Sequence, residues 1–413
     1  MAGQYKVLYL DTAPSTGGSV VSLYQLLCRL DRARYEPFVV AYTEHDYVDS
    51  FRSLGVEVAL FDAYRTEDHR PPWVKEGGRL TPVRRLRQTS WGLDLYHGLG
   101  FALLLLRRVW PRARALRRII GERQVSLVHT NIRVGHDREG ILAARMAGIP
   151  CVCHVRDFER LNWFDRKLAG MAGALVYISQ AVQRCHLEAG VPVDKGLVVY
   201  NALDVQAFEA QLDAQRGRNM LGLAADDTAV GVVGRLESWK GQDVFLRAMA
   251  RVRRSVPQAK GILVGDAVPH EPGYKGMLER LTDELGLADG IVFLPFQRDV
   301  GAVMAALDVV VLPSTSPEPF GRVLIEAMAA GKPVVATDAG AVQEIVEDGV
   351  HGRLVAVGDD QALAEAVIDL LTHRRLAERI GQAGRVRVRE RFDVQQYVSA
   401  VQCVYERLLA QGA

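Results

Sequence analysis

Cysteine is scarce in this chain. Five of its 413 residues are cysteines (Cys28, Cys151, Cys153, Cys185 and Cys403), odd in number and scattered. That excludes a disulfide framework and reads as reduced thiols in a cytoplasmic protein. Cys151 and Cys153 alternate along an apolar run, which puts both on one face of an expected strand. No second Cys/His pair stands at ligand spacing, so the two read as buried packing rather than a metal site. No apolar stretch approaches the ~20 residues that a transmembrane helix needs. An excess of one charge is missing too, and a net +2 points to no partner by itself. Tandem repeats and low-complexity segments are absent, which sets solenoid architectures aside. The opening Met-Ala-Gly-Gln-Tyr-Lys leads straight into an apolar strand pattern, so no signal peptide is expected.

What is present is ordinary in bulk: 49% hydrophobic and 24% charged residues. The length exceeds what one hydrophobic core supports, so two domains of about 200 residues are expected. Apolar strand-like runs alternate with helical patterns throughout, which argues for parallel sheets covered by helices on both faces. The first half places strands near Val7–Leu10, Phe38–Tyr42, Val56–Leu60, Val125–His129, Cys151–Val155, Leu175–Ile178 and Leu197–Tyr200. The second places them near Val230–Val233, Gly261–Val264, Ile291–Leu294, Val309–Leu312, Val334–Ala336 and Arg353–Val355. The fold class is therefore α/β, with two doubly wound, Rossmann-like domains. Asn201-Ala-Leu-Asp204 reads as the connection between them, giving domains at 1–203 and 204–391 and a last helical pattern over 392–413.

The most informative run is Pro313-Ser-Thr-Ser-Pro-Glu318-Pro-Phe-Gly321-Arg-Val-Leu-Ile-Glu326-Ala-Met-Ala-Ala-Gly331-Lys-Pro333. A β-branched run ending at Leu312 reads as a buried parallel strand. A turn-forming loop follows, then a helical pattern from Phe320 to Ala330, closed by Gly331 and Pro333. The start of such a helix offers free N–H groups and the positive end of the dipole, a natural seat for phosphate. Gly321 lets a ligand approach the backbone. A carboxylate at Glu326 could hold a vicinal diol, as acidic residues do for ribose in dinucleotide folds. The bland alternative makes Glu326 an exposed helix carboxylate and Gly321 a hinge.

Two glutamates separated by seven residues, with Phe-Gly shortly after the first, resemble the hallmark of family 4 glycosyltransferases, the retaining class with the GT-B fold. The likeness spans nearly the whole chain, strongest over Ala229–Leu354 and weakest over Tyr64–Arg123. It implies that Glu318 lies near the donor sugar, that the backbone at Phe320 and Gly321 meets the phosphates, and that Glu326 holds the ribose. It also implies a site in a cleft at the carboxyl ends of the strands, and a C-terminal helix that crosses back to the first domain.

Other residues fit that resemblance. Gly234-Arg235-Leu-Glu-Ser-Trp-Lys240-Gly241 follows a strand and carries two cations in one loop. A departing diphosphate needs fixed cations, and Arg235 and Lys240 supply a fork-shaped donor and a point charge. The family has Arg and Lys at these positions doing this work; the alternative is a pair of solvated loop cations. No Asp-x-Asp occurs anywhere, which removes the usual metal-chelating device of the other large glycosyltransferase fold. The expectation is catalysis with no metal and no cofactor beyond the nucleoside-diphosphate sugar as co-substrate. Gly17-Gly18 resembles the family's glycine-rich first loop near the donor, and reads equally as a tight strand-to-helix turn. It is not a dinucleotide fingerprint, because the third glycine is missing.

His154 stands near the end of a strand in Cys-His-Val-Arg156-Asp157, where the family often carries a histidine close to the reaction centre. The usual adjacent carboxylate is displaced to Asp157, which leaves the partner of His154 open, along with a purely structural role. His129 and His136 flank Asn131 and read as structural. Gly265 and Phe296 follow strands on the nucleotide side; Phe296 reads as a neighbour of the base or as a core aromatic. Asp338-Ala-Gly340-Ala-Val-Gln-Glu344 matches a family segment and reads as shaping the loop beside the donor.

The segment least like the family is the most basic. Residues 65–123 hold 14 Lys/Arg against 5 Asp/Glu, a local +9 that leaves −7 for the rest. Within Leu99–Ile120, Ala102, Leu105, Val109, Ala113, Leu116 and Ile120 recur at helical spacing among Arg107, Arg108, Arg112, Arg114, Arg117 and Arg118, and Pro111 is expected to kink the helix. A basic amphipathic helix suggests an anionic membrane surface or an acidic acceptor; the commoner origin is a core-packed helix with a solvated face. Tyr64–Gly98, with Trp73, Trp91 and Tyr96, would cover the acceptor entrance. The expected protein is thus a cytoplasmic, metal-independent retaining glycosyltransferase, with 99–120 as its candidate contact with the inner face of a membrane. Its acceptor would be a glycan, a lipid-linked molecule or a small molecule, and no nucleic acid is expected as partner. The rivals are a nucleotide-sugar epimerase of the same architecture and a non-catalytic nucleotide-sugar-binding protein.

Overall fold

The computed structural model describes residues 4–13, 17–61, 101 and 103–411. The expected cover over Tyr64–Gly98, with its aromatics, lies outside the described residues, as do Leu99, Gly100 and Ala102 of the basic pattern.

Thirteen strands form among the described residues. The first seven are β1 (Tyr5–Asp11), β2 (Tyr35–Ala41), β3 (Glu57–Leu60), β4 (Leu127–Thr130), β5 (Cys151–Val155), β6 (Ala174–Tyr177) and β7 (Gly196–Val198). The other six are β8 (Thr228–Val233), β9 (Ala259–Val264), β10 (Ile291–Leu294), β11 (Val309–Leu312), β12 (Val334–Thr337) and β13 (Arg353–Val355). They make two sheets, ordered β3-β2-β1-β4-β5-β6-β7 and β10-β9-β8-β11-β12-β13. In the first sheet β1 pairs in parallel with β2 and β4, β2 with β3 and β4 with β5; every pair of the second sheet is parallel. Continuous burial explains why the strands read as unbroken apolar runs: all four residues of β11 and all five of β5 are buried.

In each sheet the order turns back on itself, between β1 and β4 in the first and between β8 and β11 in the second. At such a point the loops leaving the two central strands diverge and leave a crevice at their carboxyl ends. The loops that follow β8 and β11 hold Arg235, Lys240 and Glu318. Those that follow β1 and β4 hold Gly17 and Asn131. The topology therefore gathers the chemistry-bearing loops of each sheet at one edge.

The chain divides into two compact units: residues 1–176 with 186–197 and 402–413, and residues 177–185 with 198–401. Asn201–Asp204, the expected connection, is held within the second unit. Leu203 N–H donates to the Phe392 carbonyl and Val394 N–H to that of Leu203, while the Tyr200 ring meets Phe320 and Phe392 edge-on or tilted at 6.3 and 5.5 Å. The helix Val394–Gln411 ends the described chain, and its Tyr405 belongs to the first unit. In the second unit the helix Gln242–Ser255 buries Phe245, Met249 and Val252 at helical spacing against Val230 and Leu263.

The basic pattern forms helix with one irregularity. A π-helical turn, Leu105–Val109, runs directly into the α-helix Trp110–Glu122, with Pro111 at its start. The widened turn falls just before the proline, whose ring and missing N–H interrupt a regular helical ladder. Ala113, Leu116 and Ile120 are buried as the spacing predicts, and so is Arg112, which lies 3.8 Å from Glu139. Among the described residues no helix is long and apolar enough to cross a membrane.

Candidate active site

The second unit builds its site from two loops that grip each other. After β8 the chain passes Arg235, makes a short 3-10 turn (Ser238–Lys240), and enters its helix through Gly241. Gly241 has φ +69°, and a Cβ there would sit 2.0 Å from the Pro313 carbonyl oxygen, so only glycine fits this contact. Thr315 N–H donates to the Trp239 carbonyl at 2.8 Å, and its hydroxyl donates to the same oxygen at 3.2 Å. The loop after β11 thus fixes the position of Lys240.

Lys240 Nζ donates to Glu318 Oε1 at 2.6 Å, and the Ser314 hydroxyl donates to that same oxygen at 2.6 Å. The Lys240 and Glu318 side chains are only 19% and 4% exposed. The ammonium also lies 3.9 Å from the centre of the Trp239 ring, a cation–π contact. Arg235 goes elsewhere: its guanidinium is 3.0 Å from Glu237 and remains exposed. Of the two loop cations the sequence singled out, Lys240 joins Glu318, and Arg235 lies free enough to turn towards an anion.

The helix after this loop is shorter than the pattern predicts, Arg322–Ala329 rather than Phe320–Ala330. Gly321, with φ +97°, is its N-cap and makes no side-chain cap, which leaves first-turn N–H groups available. Phe320 is excluded from the helix because its ring is buried against Phe392, 5.8 Å away and edge-on. Glu326 stands in the second turn, half-buried, with Arg322 Nη2 at 3.3 Å. Burial pushes its carboxyl pKa up, and Arg322 opposes that shift. Gly265 follows β9 with its backbone against Gly234. Phe296 is 56% exposed, which rules out the core alternative. Glu344 does structural work: its carboxylate accepts from the Gln180 and Ala181 N–H groups at 2.8 Å each and caps the helix Gln180–Glu188.

The first unit places Gly17 as the N-cap of the helix Gly18–Arg29, again without a side-chain cap and with no acidic residue in the first turn. His154 lies on β5, fully buried. Its Nδ1 is 3.3 Å from His129 Nε2 and 3.3 Å from Arg156 Nη2. Burial holds the His154 pKa well below the usual range, and pushes His129 down to about 3. Asp157, the displaced carboxylate, faces Arg133 at 3.3 Å. Arg156 Nη2 and Nε donate to Asn131 Oδ1 at 2.8 and 3.0 Å, and the Asn131 amide donates to the Ser19 carbonyl at 3.1 Å.

Two groups escaped the sequence reading. Ser314 sits among turn-forming residues and carries no signal of its contact with Glu318. Asp137, fully buried, accepts from the Thr12 hydroxyl at 2.5 Å and from the Ile132 and Arg133 N–H groups at 2.8 and 3.2 Å. It ties the loops after β1 and β4 together, and burial raises its pKa to about 7.

Two doubly wound units, one of which sets Glu318 and the helix bearing Glu326 beside the Lys240 loop, have the architecture of the GT-B class of glycosyltransferases. Residues 213–387 match the model for glycosyl transferases group 1, and residues 16–207 that for glycosyltransferase family 4. The chain belongs to glycosyltransferase family 4. It is 38% identical over 176 residues to D-inositol 3-phosphate glycosyltransferase of Mycobacterium marinum, a match covering 42% of this chain and 36% of the relative. It is 31% identical over 214 residues to the lipopolysaccharide core biosynthesis mannosyltransferase LpsB of Rhizobium meliloti, covering 51% of this chain and 61% of the relative. The chain thus matches between a third and three fifths of these curated relatives' lengths. Among solved structures, Anabaena HepE in complex with UDP and glucose superimposes with a TM-score of 0.77 at 27% identity, covering 98% of this chain and all of HepE. A glycosyltransferase from Rickettsia africae shares the fold, with a TM-score of 0.81 at 19% identity over 98% of this chain and 99% of the other.

Proposed function

We propose that the chain transfers a sugar from a nucleoside-diphosphate donor to a hydroxyl acceptor, retaining the anomeric configuration and using no metal ion. The observation that carries this reading is the convergence of Lys240, Glu318 and Ser314 beside the uncapped helix start at Gly321. The diphosphate sits on the first-turn N–H groups, with Lys240 and Arg235 as its fixed cations, so charge that develops on the leaving group meets charge already in place. Glu318 accepts from hydroxyls of the donor sugar, and Glu326 from the ribose. Gly265 and Phe296 border the donor in this reading, and Gly17 and Gly18 offer a second uncapped helix start to an anion. His154, kept neutral by its burial, serves as a hydrogen-bonding group rather than an acid.

No described residue stands out as a nucleophile, which favours reaction on one face of the sugar. The bond from the anomeric carbon to the phosphate oxygen breaks as the bond to the acceptor oxygen forms, and the acceptor's proton passes to the leaving phosphate. The complexes of HepE with UDP and with UDP-glucose support a nucleotide-sugar donor. Thermal-shift measurements with UDP-, GDP- and ADP-sugars, with and without chelator, test it: a ligand at 100 times its Kd adds ~2.7 kcal/mol of stability. A chain that no such ligand stabilises contradicts the reading.

The acceptor reading is narrower. Leu106 and Trp110 are 68% and 42% exposed, and the exposed Arg107, Arg114, Arg117 and Arg118 surround them. Arg114 lies over the Trp110 ring at 5.4 Å. Aromatic and basic residues on one exposed helix face suit the headgroup layer of an anionic membrane. That favours a cytoplasmic enzyme working on a lipid-linked acceptor at the membrane's inner face.

A further inference from the structure

Glu318 Oε1 has two donors of different kinds. Lys240 Nζ and the Ser314 hydroxyl each lie 2.6 Å away. Both the lysine and the glutamate have work to do on opposite parts of a nucleotide sugar: the cation on the diphosphate, the carboxylate on the sugar. In the chain without ligand they neutralise each other. A diphosphate carries more charge than one carboxylate and competes for the ammonium. Once Lys240 turns to it, Glu318 is a nearly buried carboxylate that has lost its counter-ion. Such a group is costly unless a hydrogen bond holds it.

Ser314 is placed to supply that bond. It is fully buried, and its own backbone is anchored, since its carbonyl accepts from the Thr337 hydroxyl at 2.7 Å. The neighbouring Thr315 is bonded to the Trp239 carbonyl, so the serine is fixed on both sides of its peptide. Its hydroxyl therefore stays in place while the longer, flexible Lys240 side chain moves. We propose that Ser314 is a positioning residue that keeps Glu318 aimed at the donor sugar when Lys240 passes from Glu318 to the diphosphate. The idea rests on the proposed donor site.

Calorimetry on the full chain separates the two halves of the donor. The probes are UDP and whichever of UDP-glucose, GDP-mannose or ADP-glucose the wild type binds, with the matching diphosphate as control. Ser314→Ala is expected to weaken the nucleotide sugar about tenfold, the loss of one hydrogen bond to a charged group, and to leave the bare diphosphate unchanged. In a Glu318→Gln background the same substitution should cost much less, because the charge whose lost counter-ion it offsets is gone while a neutral acceptor remains. Should the alanine chain fail to fold, Ser314→Cys keeps the volume, weakens the donor and carries the same comparison. Equal losses for sugar and bare diphosphate, an undiminished loss in the Glu318→Gln background, or no loss at all overturns the inference while the donor site stands. A wild type that binds none of the three sugars overturns both.

Discussion

Lys240 and Glu318, 78 residues apart in the chain, meet in a 2.6 Å ion pair in which the carboxylate oxygen is shared with Ser314. The pair joins the loop after β8 to the loop after β11, at the point where the second sheet reverses its strand order. A cation and a carboxylate in mutual contact beside a helix start are prepared for a ligand that is anionic at one end and rich in hydroxyls at the other.

Lys240→Ala and Arg235→Ala are expected to depress turnover more than they weaken nucleoside binding, because the charge they meet grows in the transition state. Steady-state rates beside calorimetric affinities check this. Chelator should leave the wild type's rate unchanged, and a rate abolished by chelator and restored by Mn²⁺ would refute the metal-free mechanism.

Glu326→Ala is expected to weaken nucleoside-diphosphate binding by about tenfold to a hundredfold, since hydrogen bonds to a charged group are worth roughly 1.5–3 kcal/mol each. Among the described residues its side-chain partner is Arg322, on the same helix, and such a pair is worth about 0.3–0.5 kcal/mol. The melting temperature should therefore barely move. Unchanged affinity in calorimetry removes Glu326 from the site.

Gly241→Ala tests whether the two loops truly depend on each other. A methyl group there meets the Pro313 carbonyl at 2.0 Å with φ at +69°. Both the backbone conformation and the space oppose it, so the loss should exceed about 1 kcal/mol in denaturant unfolding. Donor affinity should fall with it. A variant that unfolds at the wild-type midpoint contradicts the interlocked loops.

Asp137 links stability to pH with a definite sign. Burial raises its folded pKa to about 7 from the ordinary aspartate value of 3.8, so the folded chain holds a proton that the unfolded chain releases. Its contribution to stability is greatest at low pH and is lost as pH rises through that window. Wild type compared with Asp137→Asn should therefore lose relative stability as pH rises from 3.8 to about 7, the window those two values set. His136, hydrogen-bonded to the same Thr12 and pushed down to about 4, pulls the absolute curve the other way, which is why the comparison with the variant is the one to measure. A flat or rising difference contradicts the assignment.

The basic face makes its own prediction. Replacing Arg107, Arg114 and Arg117 with Gln should release the chain from anionic vesicles, each charge near the surface being worth ~1 kcal/mol. High salt should do the same, since exposed attraction is screened within ~10 Å at 0.1 M. Sedimentation of wild type and variant with vesicles decides it; equal recovery in the supernatant at low salt makes the helix an ordinary domain element.

Much of this was legible before any coordinates. Strands such as β5 and β11 were readable to the residue because parallel strands buried on both faces write themselves as apolar runs between turn signals. The spacing of Glu318 and Glu326 marked out the loop and helix start that the structure joins to Lys240. The contact of Lys240 with Glu318 was not, since it depends on how Gly241 packs against Pro313, a meeting of distant segments. Nor was the partner of His154. The interrupted adjacency left it open, and pleating turns Arg156 to the same side as His154 while Asp157 meets Arg133. The π-helical turn before Pro111 leaves no mark in the apolar spacing, which continues through it.

The most direct measurement follows the donor itself. Wild type and Glu318→Gln are incubated in chelator with UDP-, GDP- and ADP-sugars and a panel of hydroxyl acceptors, water serving as the slow one, while NMR records the diphosphate released and the anomeric proton of the product. The account predicts that wild type consumes one class of donor, that the product keeps the donor's anomeric configuration, and that Glu318→Gln is severely slowed. Inverted product, or donor consumption that survives unchanged in Glu318→Gln, would contradict it.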